Sequence, residues 1–181
     1  MYPQTVIVSA DREVELWPMT ADDAHALLAF YRSLPPADLL YLREDVTKPE
    51  SMSRWVETIE SEQGWHLLAG YEGHIIADAE LDHQFYGWSR HVGELRIVVH
   101  PAFRGSGLSR LMVQEVLAQA TDEGLHKVMV QMMVDQEPAR HLCEQLGFRH
   151  EAMLQEHVQD QHGQLRDLVI MAYFIQNFLA R

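Results

Sequence analysis

One stretch near the middle of the chain constrains the fold most, because it joins a strand pattern, a glycine loop and a helix pattern. Residues 93–100 (GELRIVVH) are apolar and rich in β-branched side chains, which predicts a buried strand. Pro101 cannot donate to a sheet ladder, so the strand should end there. Arg104-Gly105-Ser106-Gly107 follows, and then a helix pattern that runs to Gly124. Such an arrangement offers free N–H groups and a positive helix end to an anion, and it predicts a site for a phosphate-bearing cofactor.

Hydrophobic periodicity on both sides of this stretch predicts the other elements. Six further strands are expected, over residues 14–17, 65–71, 75–81, 126–134, 148–158 and 165–174. Helices are expected after Thr20 and over residues 51–62, 107–123 and 138–146, with a short helical turn near Leu39 to Leu42. Thr20 with Asp23 is expected to cap the first helix, and Gly124 to end the helix over 107–123. Glu72-Gly73 is expected to form a hairpin turn between the strands 65–71 and 75–81. The predicted fold class is therefore α/β (α+β), with a mixed central sheet of about seven strands, mostly antiparallel at its start and end, flanked by about four helices.

Length and charge limit the classes of protein that remain possible. A chain of 181 residues with 47% hydrophobic side chains fits one domain with one core, so we predict a single domain over residues 1–181. A formal net charge of −13 argues against a nucleic-acid partner, since that affinity comes from clustered Lys and Arg. The same charge would attract a cationic substrate or would serve solubility alone, and composition does not separate the two.

Cysteine and histidine usage bear on compartment and metals. The one cysteine, Cys143, excludes an intramolecular disulfide and favours a reducing compartment. The first residues lack a signal-peptide pattern, and apolar runs such as 168–175 are too short for a membrane helix. We therefore expect a soluble, cytoplasmic protein without a membrane partner. The 11 histidines include no i, i+4 pair and no cysteine at ligand spacing, so no metal site is expected.

Two motifs resemble one known family. The segment VHPAFRGSGL (99–108) resembles the acyl-CoA signature of the GCN5-related N-acetyltransferases (GNAT), whose core is Arg or Gln, two residues, Gly, one residue, then Gly or Ala. Arg104 and Gly107 match this core, whereas Ser109 stands where Gly or Ala is usual. The segment ARHLCEQLGF (139–148) resembles a second landmark of this family, and it follows the first in the order that the family shows. The joint match is more specific than a lone Gly-x-Gly, and the resemblance covers most of the chain.

The resemblance implies acetyl-CoA as co-substrate, without a metal. Converging N–H groups from Gly105 to Ser109 and the charge of Arg104 would hold the pyrophosphate. The strand before the loop would splay from its neighbour and bind the pantetheine arm, and one N–H near Val98 would polarise the thioester carbonyl. Gln136 stands where the family often has an asparagine that contacts pantetheine. The predicted cofactor-binding residues are Ile97, Val98, Val99, Arg104, Gly105, Ser106, Gly107, Leu108, Ser109 and Gln136.

Transfer to an amine requires a base, because an ammonium group has no lone pair. Glu94 lies where several family members keep a glutamate base, and the competing interpretation is a solvated strand end. Glu80 and Asp82 are the reserve candidates. Cys143 stands where many members carry a tyrosine that protonates the leaving thiolate. A small buried hydrophobe is the other interpretation of this thiol, and water, Tyr86 or Tyr173 could supply the acid instead.

The resemblance therefore predicts an acetyl-CoA-dependent N-acetyltransferase. The acceptor would be a primary amine, on a protein lysine, an N-terminus or a small molecule, that attacks directly in a ternary complex. The acidic composition favours a cationic acceptor. Ser109 and the absent tyrosine leave one alternative open, a non-catalytic acyl-CoA-binding or sensory module. Sequence alone leaves open a monomer or a homodimer.

Overall fold

The computed structural model describes residues 2–39, 42, 45–61, 64–159 and 162–175. These residues form one eight-stranded sheet with helices on both faces. The strands are β1 Gln4–Val8, β2 Arg12–Pro18, β3 Gly64–Tyr71, β4 His74–His83, β5 Val92–Val99, β6 Lys127–Met133, β7 Arg149–Gln159 and β8 Leu165–Phe174. The α-helices are α1 Ala24–Ser33, α2 Pro36–Leu39, α3 Pro49–Glu60, α4 Leu108–Asp122 and α5 Glu137–Gln145.

The strand order confirms a mixed sheet that is antiparallel at its start and end. The order is β1-β2-β3-β4-β5-β6-β8-β7, and every neighbouring pair is antiparallel except β5 and β6. The one parallel pair is joined by α4, as parallel strands require a crossover. The cofactor loop therefore follows one strand of this pair.

The structure adds one strand and one helix to the predicted set. Strand β1 was not expected, although Thr5-Val6-Ile7-Val8 is a β-branched run; it pairs with β2 at the sheet edge, so the strands number eight rather than about seven. The short helix α2 ends at Leu39, near the helical turn expected at 39–42, of which residues 40 and 41 lie outside the described ranges. The described helices thus number five rather than about four.

Several local predictions are confirmed. Glu72 and Gly73 both have positive φ, 50° and 78°, in the turn between β3 and β4, as a type I′ hairpin requires. The N–H of Thr20 donates to Asp23 Oδ2 at 2.8 Å, which completes the expected cap before α1. Gly124 follows α4 with a φ of 75°.

Two hydrophobic clusters define the two faces of the sheet. The larger one packs α4 and α5 against the back face, where Leu95 and Val99 of β5 contact Leu108 and neighbouring side chains. The smaller one packs α1 and α3 against the front face, and Val98 belongs to it. Since side chains alternate along a strand, Glu94 and Arg96 share the front face with Val98.

Candidate active site

The cofactor loop predicted from sequence is a strand-to-helix turn with two left-handed glycines. Gly105 and Gly107 have φ values of 71° and 89°, which a residue with a Cβ adopts only with strain. Within the described part of the chain, no hydrogen bond uses the backbone N–H of Gly105, Ser106 or Gly107 as donor. The Ser9 N–H donates to the carbonyl of Ser106 at 3.1 Å and fixes the loop against the β1–β2 connection. These N–H groups and the start of α4 can bind an anion.

A slot opens beside β5 just before this loop. The parallel pairing of β5 with β6 covers only Val92 to Leu95, and the last partners are Leu95 and Val130. Beyond that point β6 continues with β8, while β5 continues only with β4 through Val99. The edge of residues 96–99 that faces β6 therefore has no strand partner among the described residues. An extended chain of amides could add to this edge as another strand would.

The hydrogen-bond alternation of β5 fixes which N–H groups face the slot. The His100 N–H donates to Ile76 O at 2.8 Å, so residue 100 directs its backbone toward β4. Alternate residues of an antiparallel strand share a direction, and the Val98 N–H therefore also points toward β4. The backbone groups of Ile97 and Val99 point to the open side. Arg104 Nε donates to the outward-facing Val99 carbonyl at 3.3 Å.

Carboxylates lie on the front face of β4 and β5, at the base of the slot. Glu94 is half-buried and stands directly opposite Asp82 in the strand register. Glu80 stands opposite Arg96, one position nearer the loop on the same face. Partial desolvation and the charge of Glu80 raise the pKa of Asp82 above its usual range. The three acidic candidates from the sequence are thus brought together on adjacent strands.

Glu80 also belongs to a network of ionisable side chains that lies between the sheet and α1. His66 Nδ1 is 2.9 Å from Asp78 Oδ1, and the Tyr31 hydroxyl donates to Asp78 Oδ2 at 2.7 Å. Arg96 Nε donates to Glu80 Oε2 at 2.6 Å, and His66 Nε2 lies 3.5 Å from Glu80 Oε1. The side chains of His66 and Asp78 are each 1% exposed, so this network joins three strands and one helix in the interior.

The charges of this network are mutually balanced. Burial lowers the pKa of His66, but the charge and hydrogen bond of Asp78, followed by those of Glu80, raise it to about 9. Burial raises the pKa of Glu80, but His66 and Arg96 outweigh that effect and lower it to about 2. At neutral pH His66 and Arg96 are therefore cationic, and Glu80 is an ionised carboxylate beside them.

Trp55 of α3 closes the network from above. Its ring lies 4.7 Å from the Arg96 guanidinium carbon and 4.9 Å from the His66 ring. It also meets the Tyr31 ring edge-on at 5.5 Å. A guanidinium stacked on an aromatic face is held in one orientation, which fixes the plane in which Arg96 meets Glu80.

Two other sequence candidates lie in α5 or at its start. Cys143 is 5% exposed in the back-face cluster, where burial, and then the charge of Glu144, raise the pKa of its thiol to about 11. This environment supports the interpretation of Cys143 as a buried hydrophobe. Gln136 Oε1 accepts the Met133 N–H at 2.9 Å, so this amide closes the end of β6 before α5.

Comparison with known proteins identifies the family. A profile described as the Acetyltransferase (GNAT) family matches residues 20–148, which is more than half of the chain. The chain belongs to the GNAT acetyltransferase family. The match spans the strand, the cofactor loop and the landmark that ends at Phe148, so the family assignment rests on the segments that build the slot. Members of this family carry out acetyl-CoA-dependent acyl transfer, and no curated protein matches the chain significantly.

Solved structures share the fold over nearly the whole chain. A GNAT-family acetyltransferase from Streptococcus pneumoniae is 23% identical, with a TM-score of 0.79, covering 90% of this chain and 100% of its own. A ribosomal-protein-alanine N-acetyltransferase from Brucella melitensis is 23% identical with a TM-score of 0.78, covering 88% and 99%. A putative acetyltransferase from Salmonella typhimurium, solved with its cofactor acetyl-CoA, is 19% identical with a TM-score of 0.80, covering 93% and 97%. These likenesses establish the GNAT fold.

Sequence reasoning missed the buried network of this GNAT chain. The available signal was the alternation of Asp78 and Glu80 with alanines inside a predicted strand, since charged side chains rarely face a core without partners. Their partners come from segments up to 47 positions away, which no local pattern identifies. Among the described residues, no group of three or more His, Cys, Asp or Glu could hold a metal ion, and no helix is long and apolar enough to cross a membrane.

Proposed function

We propose that this chain is an N-acetyltransferase that moves the acetyl group of acetyl-CoA to a primary amine by direct attack in a ternary complex. The observation that carries the proposal is that β5 separates from β6 after Leu95. Glu94 lies just before the start of the unpaired edge, and the loop that contains Arg104 follows its end. Phosphate site, open strand edge and carboxylate thus follow one another along one strand. Acetyl-CoA supplies an activated thioester to this slot.

The loop and strand would divide the work of binding the cofactor. The N–H groups of Gly105 to Ser109, the start of α4 and the Arg104 guanidinium would bind the diphosphate, because a helix start carries the equivalent of roughly +0.5 charge. The open side of Ile97 and Val99 would hydrogen-bond the pantetheine amides. We place the N–H that polarises the thioester carbonyl on one of these two residues rather than on Val98, whose N–H faces β4.

The front face would receive the acceptor. Behind the slot the sheet is sealed by α4, whereas Met129, Gln131 and Ile170 are half-buried on the front face beyond α1 and α3. An amine crossing this surface would meet Glu94 and Asp82 at the base of the slot. Two carboxylates in register favour a cationic acceptor, and the acidic net charge of −13 would raise its local concentration.

Glu94 is the base that we propose. Glu80 is a poor base, since its pKa of about 2 leaves it little affinity for a proton. Asp82 is more basic than usual, but its carboxylate is one carbon shorter and lies on β4, one strand farther from the slot. Glu94 lies on the strand that lines the slot, and it would take the proton of the attacking amine directly or through one water.

We propose that solvent protonates the leaving thiolate. The Cys143 thiol is buried in the core, and Tyr86 lies in the β4–β5 loop with 85% of its surface exposed. That loop is at the end of β5 opposite to the cofactor loop, about 20 Å away at the strand rise of 3.3 Å per residue. Tyr173 packs against the back-face cluster, where its ring lies 5.6 Å from that of Phe148. None of the three is placed as well as water to reach the sulfur.

The test is thiol release from acetyl-CoA with a panel of amines: lysine peptides, peptides with free N-termini, amino acids and polyamines. We expect turnover with at least one cationic amine, and Glu94→Gln should lower kcat by about 10²–10³-fold and remove the acidic limb of the pH profile. Glu13→Gln, which changes an exposed glutamate of β2, is the matched control and should leave kcat unchanged.

The same assay separates the alternative, a non-catalytic acyl-CoA-binding module. Ser109 at a usual glycine position and the buried Cys143 in place of tyrosine favour that alternative. Tight CoA binding without turnover on any amine would support it. Turnover that is indifferent to Glu94→Gln would remove Glu94 as the base, and absence of CoA binding would overturn both functions.

A further inference from the structure

The phosphate-binding arginine is held by a carboxylate from a distant segment. Arg104 Nη2 lies 2.8 Å from Asp38 Oδ1, and Asp38 belongs to the short helix α2. The Asp38 side chain is only 16% exposed, whereas that of Arg104 is 50% exposed. The second oxygen of Asp38 is buried and has no hydrogen-bond partner among the described residues. Asp38 is largely buried, and within the described part of the chain Arg104 is the only group that compensates its charge. Removing the guanidinium from this carboxylate therefore costs free energy.

Helix α2 belongs to the connection between α1 and α3, the two helices that cover the front face. Arg32 of α1 donates to the carbonyl of Thr47 at 2.9 Å, and Asp45 Oδ1 accepts the Thr47 hydroxyl at 2.5 Å just before α3. This connection therefore begins and ends on the helices that pack over the buried network, and Asp38 links it to the cofactor loop on the other side of β5. The contact couples the cofactor side of the sheet to the acceptor side.

The diphosphate and Asp38 compete for the same cation. An anion bound by the N–H groups of residues 105–109 would lie beside Arg104, whose Nε already donates to Val99 O. Its Nη groups are the donors left for a phosphate, and Asp38 holds one of them. Two anions on one guanidinium repel each other, so each weakens the hold of the other.

We propose that Asp38 is a part of the cofactor site that opposes binding: it acts as the counter-ion of Arg104 and is exchanged for the diphosphate when acyl-CoA binds. This inference rests on the proposed cofactor site. The exchange lowers the affinity for CoA, which speeds product release. It also frees α2 from the loop when the cofactor is in place.

The decisive measurement is the dissociation constant of CoA for Asp38→Asn, measured by calorimetry at low salt. The variant should bind CoA about five- to tenfold more tightly than the wild type, and at 0.5 M salt the difference should shrink to about twofold. Asp122→Asn removes the same charge from an exposed residue at the far end of α4, about 20 Å along the helix, and should change the constant less than twofold. Equal or weaker binding by Asp38→Asn would overturn the proposal, since a supporting role for Asp38 predicts that sign.

Kinetics and exchange provide independent readouts. In Asp38→Asn the KM for acetyl-CoA should fall while kcat does not rise, because product release becomes slower. In an Arg104→Gln background the effect of Asp38→Asn on the dissociation constant of CoA should be less than half as large.

Amide hydrogen exchange in residues 36–39 should rise when CoA is added to the wild type and should already be raised in Asp38→Asn. Protection of this helix by CoA would contradict the exchange of partners.

These outcomes are distinct from a failure of the proposed function. If the wild type binds no CoA, the cofactor site itself is wrong. If it binds CoA and acetylates amines while Asp38→Asn behaves as Asp122→Asn does, only the role of Asp38 is wrong. Asp38→Ala is a second variant for the case in which the asparagine alters the fold, and the same increase in affinity is expected from it.

Discussion

The predicted cofactor loop follows β5 and the buried ion network includes Arg96 of the same strand, but the two are built in opposite ways. The loop is contiguous in sequence, from Arg104 to Ser109, and would bind the cofactor through backbone N–H groups that its glycines expose. The network takes His66, Asp78, Glu80 and Arg96 from three strands and acts through side chains that bury their charges together. The loop leaves backbone N–H groups accessible to a ligand, whereas the network pairs its charged side chains with one another inside the protein. Substitutions should therefore damage ligand binding on one side and stability on the other.

The largest effect is expected from Arg96→Met. This substitution leaves Glu80 without its guanidinium partner in the interior, which should lower the free energy of unfolding by about 3–5 kcal/mol in urea titrations. Arg90→Met, on the exposed β4–β5 loop, is the matched control and should cost less than about 0.5 kcal/mol. Adding Glu80→Gln to Arg96→Met should restore part of the loss, because the stranded charge is then removed. A loss below 1 kcal/mol for Arg96→Met would mean that the network is solvated.

Gly107→Val tests the other side of the comparison. A β-branched residue at a φ of 89° is strained and crowds the phosphate, so the dissociation constant of CoA should rise about 100-fold. Gly73→Val imposes similar strain at a φ of 78° in the β3–β4 turn, again with no atom within 4 Å of the new Cβ. Both variants should lose a similar 1–3 kcal/mol of stability by thermal unfolding, with CoA binding lost only at Gly107. Equal CoA binding by the two would show that the loop N–H groups do not hold the phosphate.

The pH dependence of stability should report His66 and Glu80 of the network in two separate pH ranges. His66 has a folded pKa of about 9, above its unfolded value of 6.5, so its contribution is complete below pH 6.5 and is lost as pH rises through 9. Glu80 has a folded pKa of about 2, below 4.5, so its contribution is complete above pH 4.5 and is lost as pH falls toward 2. Wild-type stability should decline from pH 6.5 to 9 by up to about 1.4 kcal/mol per unit.

Denaturation at pH 5.5, 7.5 and 9 measures this slope. His66→Gln should flatten it, whereas His74→Gln, at the exposed first residue of β4, should keep the wild-type slope. A wild type that becomes more stable above pH 6.5 would show that His66 is buried in its neutral form, with a pKa lowered by burial.

The smallest effect is expected from Cys143→Ala. If the thiol is only a buried hydrophobe, kcat should change less than about twofold and stability by about 1 kcal/mol. The raised pKa also predicts that disulfide reagents react slowly with the native protein at pH 7.5, and rapidly after unfolding. Rapid labelling of the native protein, or a tenfold fall in kcat in the variant, would instead assign this thiol to proton transfer.

Prediction from sequence succeeded where a residue reports its own backbone. Pro101 ended β5, Gly124 ended α4, and Glu72-Gly73 made the expected hairpin, since each of these signals is local. Strand β1 is a different case, because Thr5 to Val8 carried a β-branched pattern but gave no sign of the partner that would make it an edge strand. The three candidate carboxylates were named from sequence, but the order of their basicity was not available from it.

The sequence by itself identified the family and the strand β5, and it predicted the cofactor loop that follows this strand, because these depend on spacing along a continuous segment. Only the tertiary structure showed that Val98 directs its N–H to β4 and that Arg96 and His66 compensate the charge of Glu80. It also showed that Asp38 forms a salt bridge with Arg104. The physical reason is that hydrogen-bond direction and pKa depend on neighbours in space, and these neighbours come from elements that are far apart in the chain.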